Sequence, residues 1–337
     1  MKIGAFGEVM LRLTPPEHLL LEQTHSLRMA FTGTGVNLVG NLAHFGLPSY
    51  LLTALPDNRL GEAAKANLKA LGIDTRFIVS QHQHMGTYFA EMGYGPRPTQ
   101  VTYQNRISSS FGLSKAADYD FSSFVEAVDL VHICGISLSL TEETAEAAIQ
   151  LAKTAHEKGK KVCFDFNFRP SLNQESGKKE IMKARYEAIL PYCTIVFGAI
   201  RDLTDLLRRV ERSALQSPED EILAIQAFLK EYGIDWFAGT SRKISNQQKA
   251  IDGYVVTEKT AVRSAVFPLT VLDRIGAGDA YAAGILLGYA EKWSLEQTVA
   301  FAIANSVLAH TIQGDVPLTT REQVDRLLTE PETDLVR

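Results

Sequence analysis

Cysteine is scarce. Only Cys134, Cys163 and Cys193 occur in 337 residues, each inside an apolar segment. Their wide spacing matches no zinc pattern, and an odd number in a long chain argues against a disulfide framework. They read as buried free thiols of a reducing compartment. Excess positive charge is also missing: 34 Lys and Arg against 39 Asp and Glu leave a net charge of -5, with the signs well mixed. A phosphate-backbone footprint needs concentrated Lys and Arg, so no nucleic-acid partner is expected. The short clusters Lys158–Lys161 and Arg208–Arg212 read as solvated helix ends. No apolar run is long enough to span a bilayer. The opening MKIGAFGEVMLRL is interrupted by Glu8 and Arg12 and lacks the h-region of a signal peptide. A cytoplasmic protein without a membrane partner is the expectation.

What is present is a 45% hydrophobic chain, ample for a large core. Short apolar runs alternate with helical periodicity, the mark of an α/β domain. Strands are expected at 2–7, 50–55, 130–134, 161–166, 194–197 and 236–238. Helices are expected at 36–46, 60–71, 141–158, 178–190, 202–210, 219–232, 279–290, 296–311 and 320–329. Two stretches break the rhythm. Residues 8–32 and 75–107 carry strand-like alternation, and Gly93, Gly95, Pro96 and Pro98 mark a hairpin turn. They predict a small sheet projecting from the core. A region of alternation over 244–271 predicts antiparallel strands at a sheet edge. The domain reading is a core of 1–7, 33–74 and 108–330, a β lid of 8–32 and 75–107, and a tail of 331–337.

The most informative stretch runs from Val271 to Tyr289. Gly276 and Gly278 precede a long small-residue helical run, and Asp279 stands at its start. Two glycines there let the backbone turn tightly and leave N–H groups of the helix end facing outward, an anion pocket reinforced by the helix dipole. Asp279 has two readings: an N-cap satisfying orphan amides, or a base taking a proton from a hydroxyl while the amides of Ala277, Gly278 and Asp279 stabilise a transferring phosphoryl group. The dinucleotide fingerprint does not apply, since GxGxxG should follow the first strand, and GxxxxGK[ST] is absent.

DRIGAGDAYAAG resembles the C-terminal signature of the ribokinase-like, or PfkB, carbohydrate kinases, with its D-x-x-G-A-G-D core, and the similarity covers nearly the whole chain. GEVMLRLTPP, DFNFRPSL and HTIQGD further resemble 2-keto-3-deoxygluconate kinases within that family. The resemblance implies a mostly parallel central sheet of about nine strands flanked by helices, with a small β-sheet lid. It implies ATP and Mg2+ as cofactors and a small acidic sugar as substrate, phosphorylated at its terminal hydroxyl. By position, Asp279 matches the catalytic base and the Gly276–Ala277–Gly278 amides the anion hole. Thr240, Arg242 and Asn305 match nucleotide-binding positions, while Gly33, Asn37, Tyr88, Tyr103, Arg106 and Arg169 match sugar contacts. Arg169 suits a carboxylate because a rigid fork holds one bidentately.

The pattern also departs from the family. Its N-x-x-E motif reads Ala199-Ile-Arg-Asp202, leaving Asp202 alone as a water-mediated magnesium residue. Tyr-x-Arg reads Tyr103-Gln-Asn-Arg106, a shift that reverses a strand face unless a bulge restores it. Gly35 stands where Glu is common and Phe168 where Tyr is common. A neutral-sugar kinase and a catalytically degenerate nucleotide-binding regulator are the rival readings. The apolar lid residues Leu11, Leu13, Leu19–Leu21 and Met29 suggest a homodimer through lid sheets, or a higher homo-oligomer.

Overall fold

The structure, a computed structural model, describes residues 1–169, 177–245 and 248–330. Pro170 and the 331–337 tail lie outside the described residues.

The runs Ile3–Phe6, Leu130–Cys134, Lys161–Asp165 and Ile195–Phe197 are apolar almost throughout because both faces of their sheet are covered. They pair in parallel at the centre of an eleven-stranded sheet. Ser49–Leu55 and Ile73–Asp74 extend it on one side, and Trp236–Ser245 on the other, still parallel. Alternate strand residues serve opposite cores. Phe6, Ile133, Phe164 and Val196 pack on the helices Glu142–Glu157, Lys178–Ile189 and Pro218–Tyr232. Ala5, Cys163, Ile195 and Phe197 pack on the helices Thr34–His44, Ala277–Glu291 and Leu295–Ala309. The sheet is therefore a doubly covered ribokinase-like α/β layer. Its three cysteines are buried and unbridged. Among the described residues, no helix is long and apolar enough to cross a membrane.

The sheet has more strands than the expected nine because the 244–271 region adds Gln248–Val256, Ala261–Arg263 and Phe267–Pro268 in antiparallel fashion. Ile78–Ser80, assigned above to the lid, instead pairs with Ser49–Leu55 of the main sheet. Its apolar Ile78 and Val79 are spent on that edge. The helix expected over 202–210 is one wide turn, Asp202–Leu206, closed by the Leu207 N–H on the Asp202 carbonyl. Arg208 beyond it has a φ of 54°, a left-handed conformation that stops a helix. The short helix Ile136–Leu140 escaped the periodicity, being barely longer than one turn.

The second sheet orders Arg28–Thr32, Met10–Thr14, Thr87–Glu91 and Gln100–Gln104. Period-two alternation turns Arg12 and Thr14 inward while Leu11 and Leu13 are only half-buried. Arg12 faces Tyr88 across the register, and Tyr88 faces Tyr103. One row of side chains therefore crosses three lid strands.

Candidate active site

Asp273 begins the turn that enters the Ala277–Glu291 helix. One of its carboxylate oxygens accepts the Ile275 N–H at 3.0 Å, and the other accepts the Gly314 N–H at 3.2 Å. Gly276 follows at φ 83°, and a Cβ there would lie 1.8 Å from the Asp315 carbonyl oxygen. Only glycine fits. Around a Cβ built on Gly278 nothing among the described residues lies within 4 Å, which leaves this side of the first turn open among them. Gly276 is the N-cap and no side chain among the described residues caps this helix, which leaves the Gly278 and Asp279 amides for an outside anion.

Asp279 is not a cap. Its Oδ2 accepts the Asn37 Nδ2–H at 2.7 Å, and the residue is 8% exposed. Burial pushes its carboxyl up to about 8, against the Asn37 hydrogen bond; Asp165 and Asp315 reinforce the rise and Arg169 opposes it. Asn37 reaches Asp279 from the Thr34–His44 helix, entered through Gly33 at φ 151°, where a Cβ would lie 2.1 Å from the Glu8 carbonyl oxygen.

Beside these groups a cleft is lined by Glu8, Met10, Gly33, Thr34, Tyr103, Arg106, Ile136, Ser137 and Arg169. Arg169 donates to the Asn167 Oδ1 at 3.0 Å and to the Tyr103 hydroxyl at 3.4 Å. Arg106 does face the cleft despite its offset. Asn105, just past the end of the Gln100–Gln104 strand, takes φ 56°, and Arg106 after it lines the cleft. There it sits 4.8 Å over the Tyr103 ring and donates twice to Glu8 Oε2, at 2.9 and 2.6 Å. Glu8 Oε1 is buried with no partner among the described residues, and burial raises the carboxyl against the pull of Arg106.

On the other side of the turn, Arg242 of the Trp236–Ser245 strand donates to the His310 Nε2 at 3.2 Å. Thr240 precedes it on the same strand. Burial and the neighbouring Arg274 push the Arg242 pKa below the usual arginine range. Two guanidinium groups that repel each other beside a helix N-terminus suit a polyanion. His310 Nδ1–H donates to the Ser306 carbonyl at 2.6 Å, and its own carbonyl accepts the Leu272 and Asp273 amides. Ser306 in turn holds the Ala277 carbonyl at 2.8 Å.

A model of the pfkB family of carbohydrate kinases matches residues 2–317. The chain belongs to that family. This pfkB kinase is 58% identical to a proposed 2-keto-3-deoxygluconate kinase from Enterococcus faecalis, with a TM-score of 0.98 over 100% of this chain and 99% of that one. It is 29% identical to the 2-dehydro-3-deoxygluconokinase of Thermotoga maritima, with a TM-score of 0.90 over 98% and 99% of the two chains. A 2-dehydro-3-deoxygalactonokinase of Haloferax volcanii is 26% identical over 97% of this chain and 96% of its own. The protein is thus an ATP-dependent carbohydrate kinase, a phosphotransferase.

Two expected site residues of this pfkB kinase lie elsewhere. Asn305 is wholly buried: its amide donates to Asn41 Oδ1 at 2.8 Å and to the Ala280 carbonyl at 2.7 Å, and its oxygen accepts from Thr319. Both its N–H groups are used inside the core, so neither is left to donate to a nucleotide. Tyr88 is buried under the lid, where its hydroxyl donates to Asp315 and meets Thr32, rather than lining the cleft. Burial demands a partner for that hydroxyl, and Asp315 supplies it. Asp202 is buried too. Its carboxylate accepts the Ala199 N–H at 2.8 Å, and burial raises it to about 6. Asp165, also raised to about 6 by burial, feels Asp202 as a second negative charge. A hydrated dication nearby would relieve both carboxylates, so the donor set fits outer-sphere magnesium. No cluster of three or more direct ligands exists among the described residues. Sequence reasoning overlooked Glu8, Arg12, Asp273 and Asp315 as site groups; only the buried pairing marks them.

Proposed function

We propose that the protein transfers the γ-phosphoryl group of ATP to the terminal hydroxyl of 2-keto-3-deoxygluconate, giving the 6-phosphate. The observation that carries this reading is a buried carboxylate, Asp279, in the first turn of the Ala277–Glu291 helix and hydrogen-bonded to Asn37, whose helix is entered through the cleft residue Gly33. Asp279 accepts the hydroxyl proton as the oxygen attacks the γ-phosphorus. The bond from phosphorus to the β,γ-bridging oxygen breaks, and ADP leaves with the electron pair. The 277–279 amides stabilise the charge on the transferring group. Thr240, Arg242 and Arg274 receive the nucleotide phosphates; Asp202 and Asp165 would hold a hydrated magnesium ion through water, which would supply positive charge to the phosphate groups.

Within the cleft, Arg169 takes the substrate carboxylate, since Arg106 is already held by Glu8. Gly33, Asn37 and Tyr103 contact the sugar chain. Names of relatives at 58% and 29% identity support the gluco acceptor, and the Haloferax relative keeps the galacto epimer in view. ADP release measured against both epimers and against fructose and ribose tests the proposal. A preference for a neutral sugar overturns it. Arg169→Ala should raise KM for the acid far more than kcat falls, and equal loss on a neutral analogue would exclude carboxylate binding.

The outer lid face supports a homodimer. Met29 is 57% exposed beside half-buried Leu11, Leu13 and Leu19–Leu21, and an apolar face of this kind is commonly covered by a second copy. Sedimentation showing only monomer at micromolar concentration would exclude it.

A further inference from the structure

Arg12 projects inward from the middle of the lid strand Met10–Thr14 and is 2% exposed. Its Nε donates to Thr14 Oγ1 at 2.9 Å, and its Nη2 donates to Asp273 Oδ2 at 2.8 Å and contacts Met92 Sδ at 3.1 Å. Its Nη1 donates to Asp315. These two carboxylates bracket the anion-binding turn. Asp273 opens the turn and holds the Ile275 amide, whereas Asp315 presents the carbonyl oxygen against which Gly276 is packed. The remaining Asp315 oxygen takes the Tyr88 hydroxyl from a second lid strand, with Thr32 of a third behind it. Tyr88 is paired in register with Tyr103, which lines the acceptor cleft. A continuous set of contacts thus runs from the acceptor cleft, through the lid, to both ends of the turn.

Apolar side chains would hold a lid down at lower desolvation cost than one guanidinium and two buried carboxylates. What an ionic fork adds is geometry: charge-assisted bonds fix position within a few tenths of an ångström and fail together when the lid lifts. We propose that Arg12 is a positioning residue that makes the anion-binding turn depend on a seated lid, so that acceptor occupancy orders the amides for phosphoryl transfer. The proposal rests on the reading of 276–279 as the anion hole. It accounts for a lid strand that spends its central side chain on the core while the cleft is served by its neighbours.

The test compares Arg12→Ala, Arg12→Lys and Tyr88→Phe with Asp279→Asn, measuring acceptor phosphorylation, acceptor-free ATP hydrolysis and melting temperature. For Arg12→Ala the expected result is a fall in kcat of roughly 100-fold, the scale of a lost anion-stabilising donor, with the acceptor KM changed little. The ratio of ATP hydrolysis to transfer should rise, and added guanidinium ion at millimolar concentration should restore part of kcat. Arg12→Lys, which keeps the charge without the fork, should fall between. Should Arg12→Ala fail to fold, Arg12→Lys and Tyr88→Phe carry the test through the same hydrolysis-to-transfer ratio. Unchanged kcat and ratio in the folded variants, a loss confined to acceptor KM, or a lowered melting temperature as the sole effect would overturn the proposal. Asp279→Asn separates the two readings. If it stays active, the site itself is misassigned; if it is inactive while Arg12 variants work normally, only the coupling is wrong.

Discussion

Removing the Asn37 amide should move the pH dependence of the reaction by a calculable amount. Asp279, with its carboxyl near 8, is roughly one-tenth ionised at pH 7 in the free enzyme. The Asn37 Nδ2–H at 2.7 Å favours the charged form. A hydrogen bond to a charged group contributes roughly 1.5–3 kcal/mol, and about 1.4 kcal/mol is one pKa unit, so Asn37→Ala should raise the carboxyl by about one to two units. Because a base must be unprotonated, kcat/KM rises with pH, and its inflection should shift from about 8 to about 9–10. At pH 7 the loss is then about 10- to 100-fold, shrinking steadily toward alkaline pH. The assay is kcat/KM for the acceptor, followed by ADP release across the pH range, because that ratio reports ionisation of the free enzyme. A lost sugar contact at Asn37 would depress the whole curve without moving its inflection. An unmoved inflection in a folded Asn37→Ala protein would refute Asp279 as the titrating base.

Asp279→Asn should abolish turnover, yet it should stabilise the fold. The folded carboxyl value of about 8 lies above the ordinary 3.8, so its contribution to stability is fully present below about pH 4 and lost as pH rises through 8. The variant should therefore melt higher than the parent at alkaline pH and alike near the acid limit, by calorimetry. Gly276→Ala and Gly278→Ala should part company. The first meets the Asp315 carbonyl and lowers both melting temperature and kcat, whereas the second leaves the fold intact and raises KM for ATP by obstructing the open face. Asn305→Ala should cost about 2–4 kcal/mol in urea unfolding, because Asn41, Thr319 and the Ala280 carbonyl lose their buried partner. Its KM for ATP should stay unchanged.

The glycine turn of the candidate site was legible because its backbone chemistry is local. The turn from Val271 to Tyr289 announces itself by glycines before a helix, and Gly276 does adopt the left-handed conformation that such a turn requires. Arg169 and Tyr103, far apart in the chain, line one cleft. Asn305 misled because a position within a motif says nothing of which way its side chain is satisfied, and here three core partners consume it. The Arg106 offset could be read only as a question, since where the chain turns past the strand end at Gln104 depends on what waits to receive the guanidinium, namely Glu8.

By itself, then, the order of residues determined the α/β layering, since buried parallel strands and amphipathic helices are patterns of hydrophobicity at short range. It determined the helix entrance too, because the left-handed backbone there falls on Gly276, a residue type that adopts it at no steric cost. Only tertiary structure decided the raised Asp279 carboxyl, the diversion of Tyr88 and Asn305, and the meeting of Arg12 with Asp273 and Asp315. Those depend on burial and on charges 261 and 303 positions apart in the chain, which no local pattern encodes.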